Sequence, residues 1–304
     1  MRTVFLALFI STATALANPL LDGADPHVLQ ADGAFWMFPT ESRSRKPIFA
    51  AYRSTDLRKW KRSGPILELD DIRWVTDAGK PYHAWAPAMI ERGGKFYFYY
   101  SVGPQSANRP SRIGVAVGNS PDGKFTDSGK PLLTGGDGFE AIDPMVFTDP
   151  ASQKTYFYAG GSAGSKLRVF ELADDMVTLG AEIKVATPEK FTEAPFMHRH
   201  GEMYYLSYSH GSFNRSSYSV HYATAPSPIG PWKYRGAILE SDATHQGPGH
   251  HSFVEDPKTK SWHIIYHRWD TTEKPGPFNG TRKIAMEKIE YDAEGLMRPV
   301  RMTD

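Results

Sequence analysis

Short apolar and aromatic runs alternate along the chain with polar breaks carrying Gly, Pro, Asp or Asn. Five runs are rich in aromatics: Phe35-Trp36-Met37-Phe38, Phe96-Tyr97-Phe98-Tyr99-Tyr100, Tyr156-Phe157-Tyr158, Met203-Tyr204-Tyr205-Leu206-Ser207-Tyr208 and Trp262-His263-Ile264-Ile265-Tyr266. Aromatic residues suit a pleated, half-buried strand. Each run follows a polar or Gly turn such as Ala31-Asp32-Gly33 or Arg92-Gly93-Gly94. No stretch keeps a 3.6-residue period over three turns, so the pattern predicts an all-β chain.

The strands recur as units. Ahead of the aromatic runs stand Asp25-Pro26-His27-Val28, Ala86-Pro87-Ala88-Met89, Asp143-Pro144-Met145-Val146, Ala194-Pro195-Phe196-Met197 and His251-Ser252-Phe253-Val254, spaced by 51 to 61 residues. Similar turns recur at Ser54 to Trp60, Ser120 to Phe125 and Pro226 to Trp232. Repeats of this length, each holding about four short strands, predict a five-bladed β-propeller over 18–304. A β-sandwich is the alternative, but it leaves the repeat without a cause. In a propeller the first strand of each blade lines a central channel, so residues at those strand starts converge on one mouth. Proline is tolerated there because an inner edge strand needs no ladder partner for its N–H.

The first seventeen residues stand apart. Arg2 is followed by the apolar run Val4 to Ile10 and by Ala15-Leu16-Ala17. That pattern predicts a secretory signal peptide, and with it a secreted or periplasmic protein. No later stretch is apolar for long enough to span a bilayer. The formal net charge is +1 and no basic block occurs, which argues against nucleic acid and membrane as partners. The chain has no cysteine, which removes thiol catalysis and Cys-based zinc sites.

Three repeats bring a carboxyl group to the predicted mouth: Asp25, Asp143 and Glu193. Taken singly, Asp-Pro marks a turn, as at Asp149-Pro150 and Asp256-Pro257. Before inner strands of three different blades, the same residues form a shared acidic centre. Glycoside hydrolysis needs two carboxyl groups, one giving a proton to the leaving oxygen and one activating water. Glu193 has the longer reach and suits the donor. Asp25 suits the base, and Asp143, on the blade between them, suits a modulator that raises the donor's pKa.

With these residues in order, the chain resembles glycoside hydrolase family 43 over essentially its whole mature length. The resemblance rests on Ala24-Asp25-Pro26, Trp85-Ala86-Pro87, Ile142-Asp143-Pro144, Glu193-Ala194-Pro195 and Gly249-His250-His251-Ser252. It implies an inverting glycosidase with Asp25 as base, Asp143 as modulator and Glu193 as acid. It also implies that Trp85 shapes the sugar pocket, that His250 stands in the channel facing water or a cation, and that Arg282 reaches the sugar hydroxyls. Each has a plainer alternative: blade packing for Trp85, a hydrogen-bonded core position for His250, and a surface charge for Arg282, with His267-Arg268 as a competing basic pair. One histidine is not a metal site, so a structural calcium in the channel stays open and no cofactor is required.

Within the resembled family the expected activity is exo-acting α-L-arabinofuranosidase, with β-xylosidase and endo-arabinanase as alternatives. The partner is a carbohydrate containing arabinose or xylose. A retaining enzyme of the sucrose type would want Asn-Asp-Pro and Glu-Cys settings, both absent here. A glycan-binding propeller without catalysis would lack one of the acids, and a phosphorylase would need a basic phosphate site. Segments 271–279 and 101–112 are candidate pocket walls. Alternation places several of His198, His200, His210, His221 and His263 on blade surfaces. Gly161 to Ser165 reads as a hairpin, since no Lys-Ser/Thr and no helix follow it.

Overall fold

The computed structural model describes residues 18–41, 48–75, 83–106 and 109–304. The predicted signal peptide, 1–17, and part of the candidate wall 101–112 lie outside these. The chain opens on β1 (Leu21–Asp22). The first blade is β2 (Ala24–Ala31), β3 (Ala34–Thr40), β4 (Ile48–Ser54) and β5 (Lys61–Glu68). After a 3-10 turn (Leu69–Asp71) comes the second: β6 (Ala84–Arg92), β7 (Lys95–Val102), β8 (Arg112–Gly118), β9 (Thr126–Asp127) and β10 (Leu133–Thr134). The third is β11 (Met145–Thr148), β12 (Thr155–Ala159), β13 (Arg168–Leu172) and β14 (Leu179–Ile183), and the fourth is β15 (Glu193–His200), β16 (Met203–His210), β17 (Ser219–Ala225) and β18 (Lys233–Leu239). The last holds β19 (His245–Glu255), β20 (Trp262–Asp270) and β21 (Lys283–Ile289).

Five antiparallel sheets result, so the five-bladed propeller expected from the repeat is the fold. The ring closes through β1, which pairs with β21 in the last sheet (Leu21 opposite Ile284, Asp22 opposite Lys283). Lys283 Nζ reaches Asp22 Oδ1 at 2.5 Å across this closure. Among the described residues no helix is long and apolar enough to cross a membrane.

The aromatic runs are the second strands of the blades, and they build the core between blades. Phe38, Phe49, Phe98 and Tyr100 pack between the first and second blades, with ring centroids 5.1–6.1 Å apart. Each such side chain contributes about 1.5–3 kcal/mol by leaving water. Buried tyrosines keep a partner for the hydroxyl: Tyr99 donates to Met176 O at 2.7 Å and Tyr158 to Pro228 O at 2.6 Å. Not every histidine sits where alternation puts it. His198 is buried between the rings of Tyr205, Phe253 and Trp262, and His221 is buried against Ser219 and Tyr234. Contacts with the last blade cover His198 and contacts across strands of its own blade cover His221, and a single-strand pattern shows neither.

Candidate active site

One backbone device repeats at the start of all five inner strands. Asp25, Ala86, Asp143, Ala194 and His250 each adopt a left-handed backbone, with φ between 38° and 57°. The first four are each followed by a proline; at Asp25, Ala86 and Ala194 these two residues form a bulge opposite the second strand, and at Asp143 they stand just before β11. In the last blade the register runs from Gly249–His267 directly to His251–Tyr266, so its bulge holds one residue fewer. His250, not His251, therefore occupies the place of Asp25. This corrects the repeat as read from the sequence, where no proline marks the position.

Non-glycine residues in this region cost about 1–3 kcal/mol each and persist only where surroundings hold them. Here the holding group comes from the second strand of the preceding blade. Ala86 N donates to Thr40 Oγ1 (2.8 Å), Asp143 N to Ser101 Oγ (3.0 Å) and His250 N to Ser209 Oγ (2.9 Å). At Asp25 the matching place is filled by His267. Before Ala194 that place is Gly160, where any Cβ would stand 2.0 Å from Lys166 O, so no side-chain acceptor fits. Asp143 Oδ2 accepts the Ala194 N–H instead, at 3.0 Å. That hydrogen bond turns the Asp143 carboxyl towards the strand start that carries Glu193.

The three acids gather at this mouth, and each is less than a tenth exposed. Their surroundings differ. Asp25 Oδ1 lies 3.0 Å from Arg282 Nη1, 3.2 Å from His267 Nδ1 and 3.6 Å from His250 Nδ1. Burial pushes Asp25 up, but Arg282, His250 and His267 outweigh it and hold the carboxyl well below its usual range. Arg282 Nη1 also donates to His267 Nε2 at 3.3 Å. His267 Nδ1 faces both the backbone N–H and the carboxylate of Asp25, each at 3.2 Å. Burial and Arg282 keep His267 neutral, with its pKa lowered to about 3.

Glu193 and Asp143 move the other way. Burial, then Glu193, Asp25 and the buried Glu140, raise Asp143 well above the carboxylate range. Burial pushes Glu193 up to about 7, helped by Asp25 and Glu140 and partly offset by a hydrogen bond from Tyr218. Tyr218 donates to Glu193 Oε1 at 2.6 Å and stacks on His267, with centroids 5.7 Å apart and planes 11° from parallel. Its ring passes over Gly249, where a Cβ would stand 2.0 Å away; only glycine lets Tyr218 reach the acid. The Gly161 to Ser165 turn holds Glu140, which accepts from Ala163 N (2.7 Å), Ser162 Oγ (3.2 Å) and Gln105.

Trp85 takes the same register position as Glu193, one residue before the bulge, and stacks on His83 at 5.3 Å. Its indole belongs to none of the apolar clusters between blades, which favours the mouth over blade packing. Arg282 is at the site rather than the surface. The competing pair divides: His267 joins the site, while Arg268 turns to Asp270 and Thr303 O. Sequence reasoning passed over Tyr218 and Glu140, and weighed His267 only within a competing basic pair. Only His267 carried a local signal, lying in register with Gly249 as Thr40 does with Ala24.

His250 Nδ1 stands 3.6 Å from both Asp25 Oδ1 and Asp143 Oδ2, too far for hydrogen bonds. The next ring of side chains inward is His27, Ala88, Met145, Phe196 and His251. These offer imidazole, thioether and apolar groups, whereas calcium takes six to eight oxygens. The nearby carboxylate oxygens Asp25 Oδ1 and Asp143 Oδ2 already hold Arg282 and Ala194 N–H. The described side chains therefore do not form a calcium cage around His250.

An all-β propeller with a held anion and a raised acid at one mouth has the equipment of a two-carboxyl glycosidase. The comparisons agree. The profile of Glycosyl hydrolases family 43 matches residues 16–297, so the chain belongs to that family, whose enzymes hydrolyse glycosidic bonds with inversion. It is 30% identical to the β-D-galactofuranosidase xynD of Aspergillus niger, over 95% of this chain and 86% of that protein. It is 29% identical to xylosidase/arabinosidase 43A of Humicola insolens, over 76% and 78%. Its fold matches a β-xylosidase/α-arabinofuranosidase from a compost microbial metagenome with a TM-score of 0.76 at 25% identity, over 94% and 97% of the two chains.

Proposed function

We propose that this enzyme releases terminal α-L-arabinofuranose from plant-type polysaccharide or its oligosaccharides, with Asp25 as general base, Glu193 as general acid and Asp143 as modulator. The observation that carries the assignment is the opposite treatment of two buried carboxyls at one mouth. Asp25 is held as an anion by Arg282 and His250, and Glu193 is held protonated up to about pH 7. In the proposed step, Asp25 takes a proton from water as the water oxygen bonds to the anomeric carbon. The bond to the leaving oxygen breaks on the other face, and Glu193 gives that oxygen its proton. Configuration inverts. Asp143, raised by burial and by Glu193 and oriented by Ala194 N–H, titrates together with Glu193, so their apparent pKa values belong to the pair. Trp85 forms a wall of the pocket, and Arg282 orients Asp25 while reaching the sugar. No cofactor is needed, because acid and base together complete the proton balance.

The furanose preference rests on relatives named for arabinose and galactofuranose. α-L-Arabinofuranose and β-D-galactofuranose share ring configuration, so β-D-galactofuranosides are the second reading. Chromogenic α-L-arabinofuranoside, β-D-galactofuranoside and β-D-xyloside separate the sugars. Cleavage of the arabinofuranoside with the highest kcat/KM supports the proposal; preference for another names a different sugar.

The pH dependence follows from the site. The acid must carry its proton, so kcat/KM is expected to fall as pH rises through about 7. The base must be ionised, and Asp25 is held low, so no loss is expected on the acid side until pH falls below the usual carboxylate range. Tyr218 lowers the pKa of Glu193, so Tyr218→Phe is expected to move the alkaline limb upward. A pH–rate profile of both proteins checks this; an unmoved limb would separate Tyr218 from the acid's titration.

Export is part of the proposal. It is supported by the positive start, apolar run and Ala15-Leu16-Ala17 of segment 1–17. Mass determination of the protein after export should give a chain beginning at Asn18; an intact Met1 start would refute cleavage.

A further inference from the structure

Among the described residues, Phe213 is the one large apolar side chain that is exposed, at 48%. It lies in the loop between β16 and β17, on the same mouth as the acids. The guanidinium of Arg282 sits 5.4 Å from the centroid of its ring, and the same guanidinium reaches Asp25 Oδ1 at 3.0 Å. The loop ends at Tyr218, which donates to Glu193. Phe213 thus stands on a segment that joins the group holding the acid to the group holding the base.

The backbone around this ring is fixed. Trp269 Nε1 donates to Phe213 O at 3.0 Å, Phe278 N to Asn214 O at 2.7 Å and Ser216 N to Pro275 O at 3.0 Å. These bonds latch the loop to β20 and to the segment that follows it in the last blade. An exposed aromatic forgoes the gain from burial. One held rigidly costs little further ordering when it binds, which suits a contact surface. The apolar face of a sugar ring packs on such a surface. Depth says which sugar: the acids are less than a tenth exposed, so the sugar being cleaved sits deep, and a half-exposed ring at the rim meets the next sugar outward.

We propose that Phe213 is the stacking platform for the leaving-group sugar, the residue just beyond the scissile bond. This rests on the glycosidase reading and adds a specificity residue to it. The ring should aid substrates whose leaving group is a sugar and be indifferent to those without one.

The test compares α-1,5-arabinobiose with α-L-arabinofuranosyl fluoride, whose leaving group has no ring, in wild type, Phe213→Ala and Phe213→Trp. Xylobiose and β-D-xylosyl fluoride serve if xylose is the sugar cleaved. Phe213→Ala is expected to lower kcat/KM for the disaccharide about tenfold, mainly through KM. The fluoride should stay within about twofold, as should inhibition by the free monosaccharide, and Phe213→Trp should restore the disaccharide. Equal losses on both substrates, or none on the disaccharide, would overturn the platform. A wild type inactive on both sugar pairs and on the matching galactofuranose pair would overturn the glycosidase reading and the platform with it. The unfolding midpoint should not move, since the side chain is half in solvent.

Discussion

Glu193→Gln is expected to lower kcat/KM for an arabinose disaccharide by about 10²- to 10⁴-fold while leaving the fold intact. A sugar leaving group departs as an alkoxide unless it receives a proton, and Glu193 is the buried acid kept protonated to about pH 7. Glutamine keeps the shape and still accepts the Tyr218 hydroxyl, but it has no proton of suitable acidity to give. It also removes the like-charge repulsion that Asp25 and Glu140 impose, so no loss of stability is expected. Steady-state kinetics with thermal unfolding as a control checks both parts. A residual rate within a few-fold of wild type would take the acid role from Glu193.

Asp25→Asn is expected to cost a similar factor, about 10²- to 10⁴-fold, on every substrate whatever its leaving group. Water must lose a proton as it attacks, and an amide does not take it. This substitution should also destabilise the protein, by of the order of 2 kcal/mol, because Arg282 and His267 lose the anion they are arranged around. Kinetics on a substrate with an activated leaving group, with unfolding followed alongside, separates the two effects. Full activity on that substrate would remove Asp25 from the water-activating role.

The acids were legible in the sequence because each stands next to or within two residues of a proline at a repeated inner-strand start, a pattern no surface turn shares. The propeller was legible for the same reason: period and aromatic strands belong to the local chain. What lies on the second strands and their loops was not. His267, Tyr218 and Phe213 reach the mouth from outer elements, and Glu140, three residues before Asp143, is held by side chains and a turn distant in sequence, so none of their partners is set by nearby sequence. The one-residue shortening at His250 was hidden because the last blade has no proline to mark its bulge. Gly160 shows how indirect such effects are. A missing side chain just after the second strand of the third blade leaves Asp143 to hold Ala194 N–H.

The central claim is the division of labour between Asp25 and Glu193. Leaving-group dependence tests it most directly: kcat/KM of wild type, Asp25→Asn and Glu193→Gln on the disaccharide, a nitrophenyl and a dinitrophenyl α-L-arabinofuranoside. The expected result is that Glu193→Gln recovers steeply as the leaving group improves, because a good leaving group needs no proton. Asp25→Asn should stay uniformly impaired. Equal leaving-group dependence in the two variants, or recovery in Asp25→Asn alone, would contradict the assignment.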